Sequence, residues 1–127
     1  GHFRSDSPMF SSLAVADGPL TVYDLESLAS PPAVVVLPAC NAGLAAVSVG
    51  DELIGTASAL LGVGVRHVIA PITVVNDEVT TRVMLVFHRH LVGAPSVAAA
   101  LAGARVELAA SGDPDAWAAA VPLLCLS

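Results

Sequence analysis

The sequence predicts an α/β domain on a largely parallel sheet, and three observations carry that expectation. Two short apolar runs, residues 33–37 (AVVVL) and 67–70 (HVIA), lack the alternation of a half-exposed strand, as strands covered on both faces do. The segments between and after them carry apolar residues at helical spacing behind capping residues. The resulting order, β-α-β-α-α-β after a small leading hairpin-like piece, is that of α/β folds. A chain of 127 residues is long enough for one domain with a real core and too short for two.

The leading piece, residues 10–18 (FSSLAVADG), reads as a short strand in which Leu13 and Val15 alternate with small residues before a turn at Asp17-Gly18. Thr21 then caps a short helix with Val22, Leu25 and Leu28 on one face and Asp24 and Glu26 near its positive end; Pro31-Pro32 stops it. After the strand at 33–37, residues 50–63 form a helix on Leu53, Ile54, Ala57, Leu60 and Leu61, with Asp51 and Glu52 in its first turn and Gly62 and Gly64 at its exit. The strand at 67–70 follows. Asn76 caps the next helix, whose apolar face is Val79, Val83, Val86, Phe87 and Leu91, ending at Gly93. Pro95-Ser96 opens an alanine-rich helix to about Ala110 carrying Val97, Leu101, Val106 and Leu108. Residues 117–127 (WAAAVPLLCLS) return the chain to the sheet as a last strand, with Pro122 marking an edge or bulge and Trp117 as a core anchor. Three good strands and one weak one fall short of the four or five of an open α/β domain, so the sheet is expected to be incomplete on its N-terminal side.

Composition narrows the function. Hydrophobic residues make up 55% of the chain and charged residues 13%, so much of it must be buried. The net charge is −6, and the five basic residues are scattered arginines with no lysine, which argues against nucleic acid or an anionic membrane as partner. The longest uncharged window, 27–50, contains Pro31, Pro32 and Pro38 and cannot be a lipid-exposed helix. No basic segment followed by an apolar one opens the chain, so a cytoplasmic location is expected. Its lysine-free, Ala/Val/Gly-rich make-up suggests a GC-rich bacterial source. Two cysteines without CxxC or Cys/His spacing predict reduced thiols, no metal and no cofactor. His88 and His90 point about 200° apart on a helix and cannot share a metal; His67 opens a strand as a boundary residue. "GVGV" at 62–65 lacks the strand-to-helix setting of a phosphate loop, which leaves a small-ligand-binding domain the weakest reading.

Residues 34–43 (VVVLPACNAG) hold the residue with most chemical potential. Cys40 lies three residues past Leu37, where loops at the carboxyl ends of parallel strands gather into a crevice, beside small residues and Gly43. A thiolate there needs a base within reach and backbone N–H groups aimed at a developing oxyanion. On pattern alone a lone cysteine after an apolar strand is more often packing than catalysis.

The run "VVVLPACNAGL", followed by "GDELIGTASALLGVGVRHVIAPITVVNDEVTTRVMLVFHRHL", resembles the second half of the CHAT domain, a caspase-like cysteine peptidase family often attached to tetratricopeptide repeats. "DGPLTVYDLESL" is similar to the family's segment before the cysteine strand. The resemblance implies a caspase-like fold, with residues 1–127 the C-terminal part of one domain. It implies that Cys40 is the nucleophile of a Cys/His dyad, that the backbone N–H groups of Gly1 and Cys40 form the oxyanion hole, and that the catalytic histidine lies just before Gly1, with His2 not its equivalent. Asp77 matches an aspartate that binds a basic side chain of the substrate; alternatively Asp77 and Glu78 serve only the helix dipole. The implied activity is an endopeptidase cleaving after a basic residue, inactive as this chain alone. The implied partners are a protein or peptide substrate, the N-terminal remainder of the domain, repeat domains, and a second copy through the exposed edge of the strand around residues 34–37. The family's usual Ser, acidic residue and Trp are here Pro38, Asn41 and Thr73, and a non-catalytic scaffold module is the alternative.

Overall fold

The computed structural model describes residue 4 and residues 6–37, 46–73 and 75–127, with 46–52 as backbone only. After one tight helical turn at Pro8–Phe10, strands β1 (Ser12–Val15) and β2 (Gly18–Thr21) form an antiparallel hairpin, with Ser12 opposite Thr21 and Val15 opposite Gly18. The turn passes through Gly18 at φ +123°, a conformation that favours glycine.

Helix α1 (Val22–Glu26) starts where the sequence puts it. The Asp24 N–H donates to Thr21 Oγ1 at 3.1 Å while the Thr21 N–H donates to Asp24 Oδ2 at 2.8 Å, a reciprocal capping box. The Thr21 hydroxyl also donates to Asp24 Oδ2 at 2.6 Å, and this bond, with the one from the Thr21 N–H, holds the Asp24 carboxyl below its usual range. Val22 is buried, and Leu28, expected on the same face, is exposed.

The main sheet has the order β3-β4-β5 among the described residues. Strand β3 (Val34–Val36) runs parallel to β4 (His67–Pro71), with Val35 opposite Val68, and β5 (Leu123–Leu126) runs antiparallel to β4, with Cys125 opposite Ile69. The sheet is therefore mixed, where a largely parallel one was expected. Two long helices carry the chain down and back to the edge where β4 ended, so the last strand must descend; the Ile72 N–H donates to the Pro122 carbonyl at that corner.

Strand β4 is the centre of the fold. Ile69 joins one apolar cluster and Val68 and Ala70 the other, which is why its sequence does not alternate. On the second cluster's side lies α2 (Ala46–Gly62), presenting Leu53, Ala57 and Leu60; it starts four residues before the expected Gly50. The helix ends in a Schellman motif: Gly64 N–H to the Leu61 carbonyl, Val65 N–H to the Leu60 carbonyl, and φ +101° at Gly64.

The other face is covered by α3 (Asp77–Gly93), α4 (Val97–Ala110) and α5 (Pro114–Ala120). Val83 and Phe87 of α3 are fully buried against Ala100, Leu101, Ala104 and Leu108 of α4. Small residues let the two helices approach closely, and at Gly103 an added Cβ would lie 2.7 Å from His90 Nδ1. Helix α5 was not expected. Asp113 caps it, accepting from the Asp115 and Ala116 N–H groups, and Pro114 takes the first helical position. It turns Ala116 and Ala120 inward and leaves Trp117 41% exposed, so Trp117 is not the expected core anchor. Val106 likewise faces outward. No described helix is long and apolar enough to cross a membrane.

Candidate functional site at the carboxyl edge of the sheet

Because β3 and β4 are parallel neighbours, their carboxyl ends emerge at one edge of the sheet. The Leu37 N–H donates to the Ile69 carbonyl at 2.8 Å, which keeps the two strands in register to the last described residue before the cysteine loop. Cys40 and Gly1 both lie outside the described residues, as do His2, Pro38 and Asn41. Asp77 is described: it is the first residue of α3, reached from the end of β4 through an exposed Thr73 and the cap residue Asn76.

The local bonding fixes the backbone on both sides of Asp77. Asn76 Oδ1 accepts from the Glu78 N–H at 2.9 Å and the Val79 N–H at 3.2 Å, capping the helix's unpaired donors. The Asn76 carbonyl accepts twice from Thr80, from its N–H at 2.8 Å and its hydroxyl at 2.7 Å. The Asp77 carbonyl accepts from the Thr81 hydroxyl at 2.9 Å. Capping is thus the work of Asn76, and the Asp77 carboxylate is not needed for it.

The Asp77 carboxylate is exposed and makes no ion pair among the described residues. Four of the five arginines are engaged elsewhere. Arg4 pairs with Asp6, Arg82 with Asp113 at 2.7 Å, and Arg89 with Glu107. Arg105 donates to the carbonyls of Ala120, Val121 and Leu123, tying α4 to the end of α5 and the start of β5.

Asp77 stands at one end of a groove of about 380 Å³ along α3, lined among the described residues by Asp77, Thr80, Thr81, Met84, Leu85 and His88. The opposite flank, between the start of α3 and α5, carries a second groove of about 410 Å³ with Thr73, Asn76, Val79, Asp115 and Pro122 on its walls. Sequence reasoning singled out Asp77 but passed over Thr80 and Thr81. The usable signal was their spacing, since residues three and four after an aspartate share its helix face.

The histidines serve separate contacts. His88 Nδ1–H donates to the Met84 carbonyl at 2.7 Å, and His67 Nδ1 lies 3.1 Å from Ser127 Oγ. His90 Nε2 meets Glu107 Oε2 at 2.9 Å, and this bond, with the nearby Arg89, holds the Glu107 carboxyl below its usual range. Cys125 is a half-buried free thiol on β5. Among the described residues no cluster of His, Cys, Asp or Glu is assembled that would hold a metal ion.

Neither the curated proteins nor the solved structures contain a match to this chain. The model of one family, the CHAT domain, matches residues 1–124. Essentially the whole sequence is thereby accounted for, and the chain belongs to the CHAT domain family.

Proposed function

We propose that this chain is the C-terminal part of a caspase-like CHAT domain that acts as a cysteine endopeptidase on protein or peptide substrates, cutting after a basic residue. Cys40 is the nucleophile and a histidine immediately before Gly1 is the base. The base takes the thiol proton, the thiolate adds to the scissile carbonyl, and the N–H groups of Gly1 and Cys40 hold the oxyanion. Collapse expels the amine with a proton from the imidazolium, and water then hydrolyses the thioester. Asp77 binds the basic side chain before the cut, an ion pair that a carboxylate with no cation partner among the described residues is ready to make.

The observation that carries this reading is the shared edge: Cys40 follows β3 and Asp77 follows β4 by a few residues each, and the two strands are parallel and paired. A thiol on one strand's exit and an acid on its neighbour's suit a peptide laid across the strand ends. The outer edge of β3 has no partner among the described residues and no charged residue to protect it. We assign that edge to the N-terminal remainder of the domain, a second copy being the competing occupant, and on this reading the chain by itself does not cleave. We propose a bacterial cytoplasm as its location and repeat domains as further partners, the former on its lysine-free composition.

The alternative is a caspase-like scaffold that has lost cleavage, favoured by Pro38, Asn41 and Thr73 where the family usually has Ser, an acid and Trp. The two separate on hydrolysis of a fluorogenic arginyl peptide by the protein bearing the residues encoded before Gly1. A peptidase turns it over and loses all turnover in Cys40→Ala, whereas a scaffold gives the same background in both.

A further inference from the structure

The chain places its few aromatic side chains unevenly. Phe87 is fully buried, whereas Phe10 and Tyr23 stay 60% and 59% exposed and stack on each other, with ring centroids 6.4 Å apart and planes 19° from parallel. Each stands two residues outside the Ser12–Thr21 pair at the base of the β1-β2 hairpin, so the register of the hairpin brings them together. Packing does not require them there. The hairpin and α1 are already held from beneath by Met9, Leu13, Val22 and Leu25, which join the apolar cluster under α2. A stacked pair left largely in water forfeits much of the free energy that burial would return, and it keeps ring surface open to a partner.

The stretch of chain around the pair is of one sign. No arginine, lysine or histidine falls between Arg4 and Arg66, while Asp6, Asp17, Asp24, Glu26, Asp51 and Glu52 do, so the net charge of −6 lies wholly in that stretch. Arg4 is paired with Asp6; Asp17, Asp24 and Glu26 are exposed and make no ion pair among the described residues. Asp24 adjoins Tyr23 on α1, and Glu26, three residues after Tyr23, shares its helix face. Aromatic faces attract cations, arginine most often, and carboxylates beside them add to that attraction. A second copy does not match this face, because the rest of its chain has as many acids as arginines.

We propose that the exposed face built on Phe10 and Tyr23, with Asp24 and Glu26 beside them, docks an arginine-rich segment of a partner protein, guanidinium groups stacking on the rings and pairing with the carboxylates. Docking of this kind needs no cleavage, so it is read as binding and stands apart from the role of Cys40.

The test uses the protein carrying the residues encoded before Gly1 and fluorescein-labelled peptides in which glycine alternates with arginine, lysine or glutamate. At low salt, fluorescence anisotropy shows the arginine peptide bound more tightly than the lysine peptide and the glutamate peptide not bound, and added salt weakens the binding. Phe10→Ala and Tyr23→Leu each weaken the arginine peptide about two- to fivefold, the second keeping apolar area and removing only the aromatic face. Tyr23→Phe restores the affinity, and Glu26→Gln lowers both the affinity and its salt dependence. Both rings are largely exposed, so the variants fold, and circular dichroism checks that they do. Hydroxyl-radical footprinting locates the contact: Phe10 and Tyr23 are oxidised in the free protein and protected by the arginine peptide. Absence of binding overturns the proposal. An affinity unchanged in Phe10→Ala and Tyr23→Leu overturns it as well, leaving only diffuse attraction between charges. Rings already protected in the free protein assign the face to the N-terminal remainder of the domain, or to a second copy if protection grows with protein concentration, and either result overturns it.

Discussion

Replacing Gly103 by alanine sets two known quantities against each other. Alanine is favoured over glycine in a helix interior by about 0.8–1 kcal/mol, so at an open position of α4 the change would stabilise the protein. At 103 the new Cβ would sit 3.1 Å from His90 Cε1, a tight contact, and 2.7 Å from its Nδ1, inside any real contact distance. The ring is no free end to push aside, because its other nitrogen bonds Glu107 at 2.9 Å. Overpacking of this kind costs about 1–3 kcal/mol, so crowding wins and Gly103→Ala destabilises by about 1 kcal/mol. Removing the ring reverses the sign: in a His90→Ala background the same substitution stabilises by close to the full propensity difference. Urea denaturation of the four proteins of this cycle, followed by circular dichroism, yields a coupling of about 2 kcal/mol. The same sign in both backgrounds would refute the reasoning, since it would mean that the helices part without cost or that His90 does not occupy the space above Gly103.

Other perturbations read other parts of the molecule. Gly64→Ala places a side chain at φ +101° and 3.1 Å from Pro31, and thermal unfolding shows a loss of about 1–2 kcal/mol. Arg105→Met leaves the carbonyls of Ala120, Val121 and Leu123 without their shared donor, costing about 1–3 kcal/mol, with faster hydrogen exchange in β5 as the local sign. The Glu107 carboxyl, lowered by its bond to His90 and by Arg89, stabilises the fold when ionised. Its folded value lies below the unfolded one, so the contribution is complete above about pH 4.3 and is lost as pH falls through the folded value. Glu107→Gln is therefore less stable than wild type at pH 7, and the two melting temperatures converge in acid.

The parts of the fold that were legible in sequence are those whose physical cause is local. Asn76 and Thr21 each cap the helix they were read to cap, and Ser96, read with Pro95 as the start of its helix, caps it, because a short side-chain oxygen ahead of an apolar period has one main use. The strands β3 and β4 were legible because burial on both faces removes alternation. Helix α5 was not, although Asp113-Pro114 is a good start signal; its alanines have no period, and Trp117-to-Leu126 reads as one apolar run. The same lack of contrast hid the inner face of α4, where Ala100 and Ala104 are buried and Val106 is not. The antiparallel course of β5 depends on how many helices carry the chain back, which no residue pattern announces. At the site, Asp77 was found by resemblance, while Thr80 and Thr81 were passed over although their spacing puts them on the same helix face.

The central claim is that Cys40 is a nucleophile served by an acidic subsite at the neighbouring strand's exit. The most direct measurement is peptide mapping by mass spectrometry after an arginine-ended electrophile reacts with the folded protein carrying the residues encoded before Gly1. The account predicts one adduct, on Cys40, absent in Cys40→Ala and slowed in Asp77→Asn. An unmodified Cys40, or an adduct on Cys125 at the same rate, would contradict it.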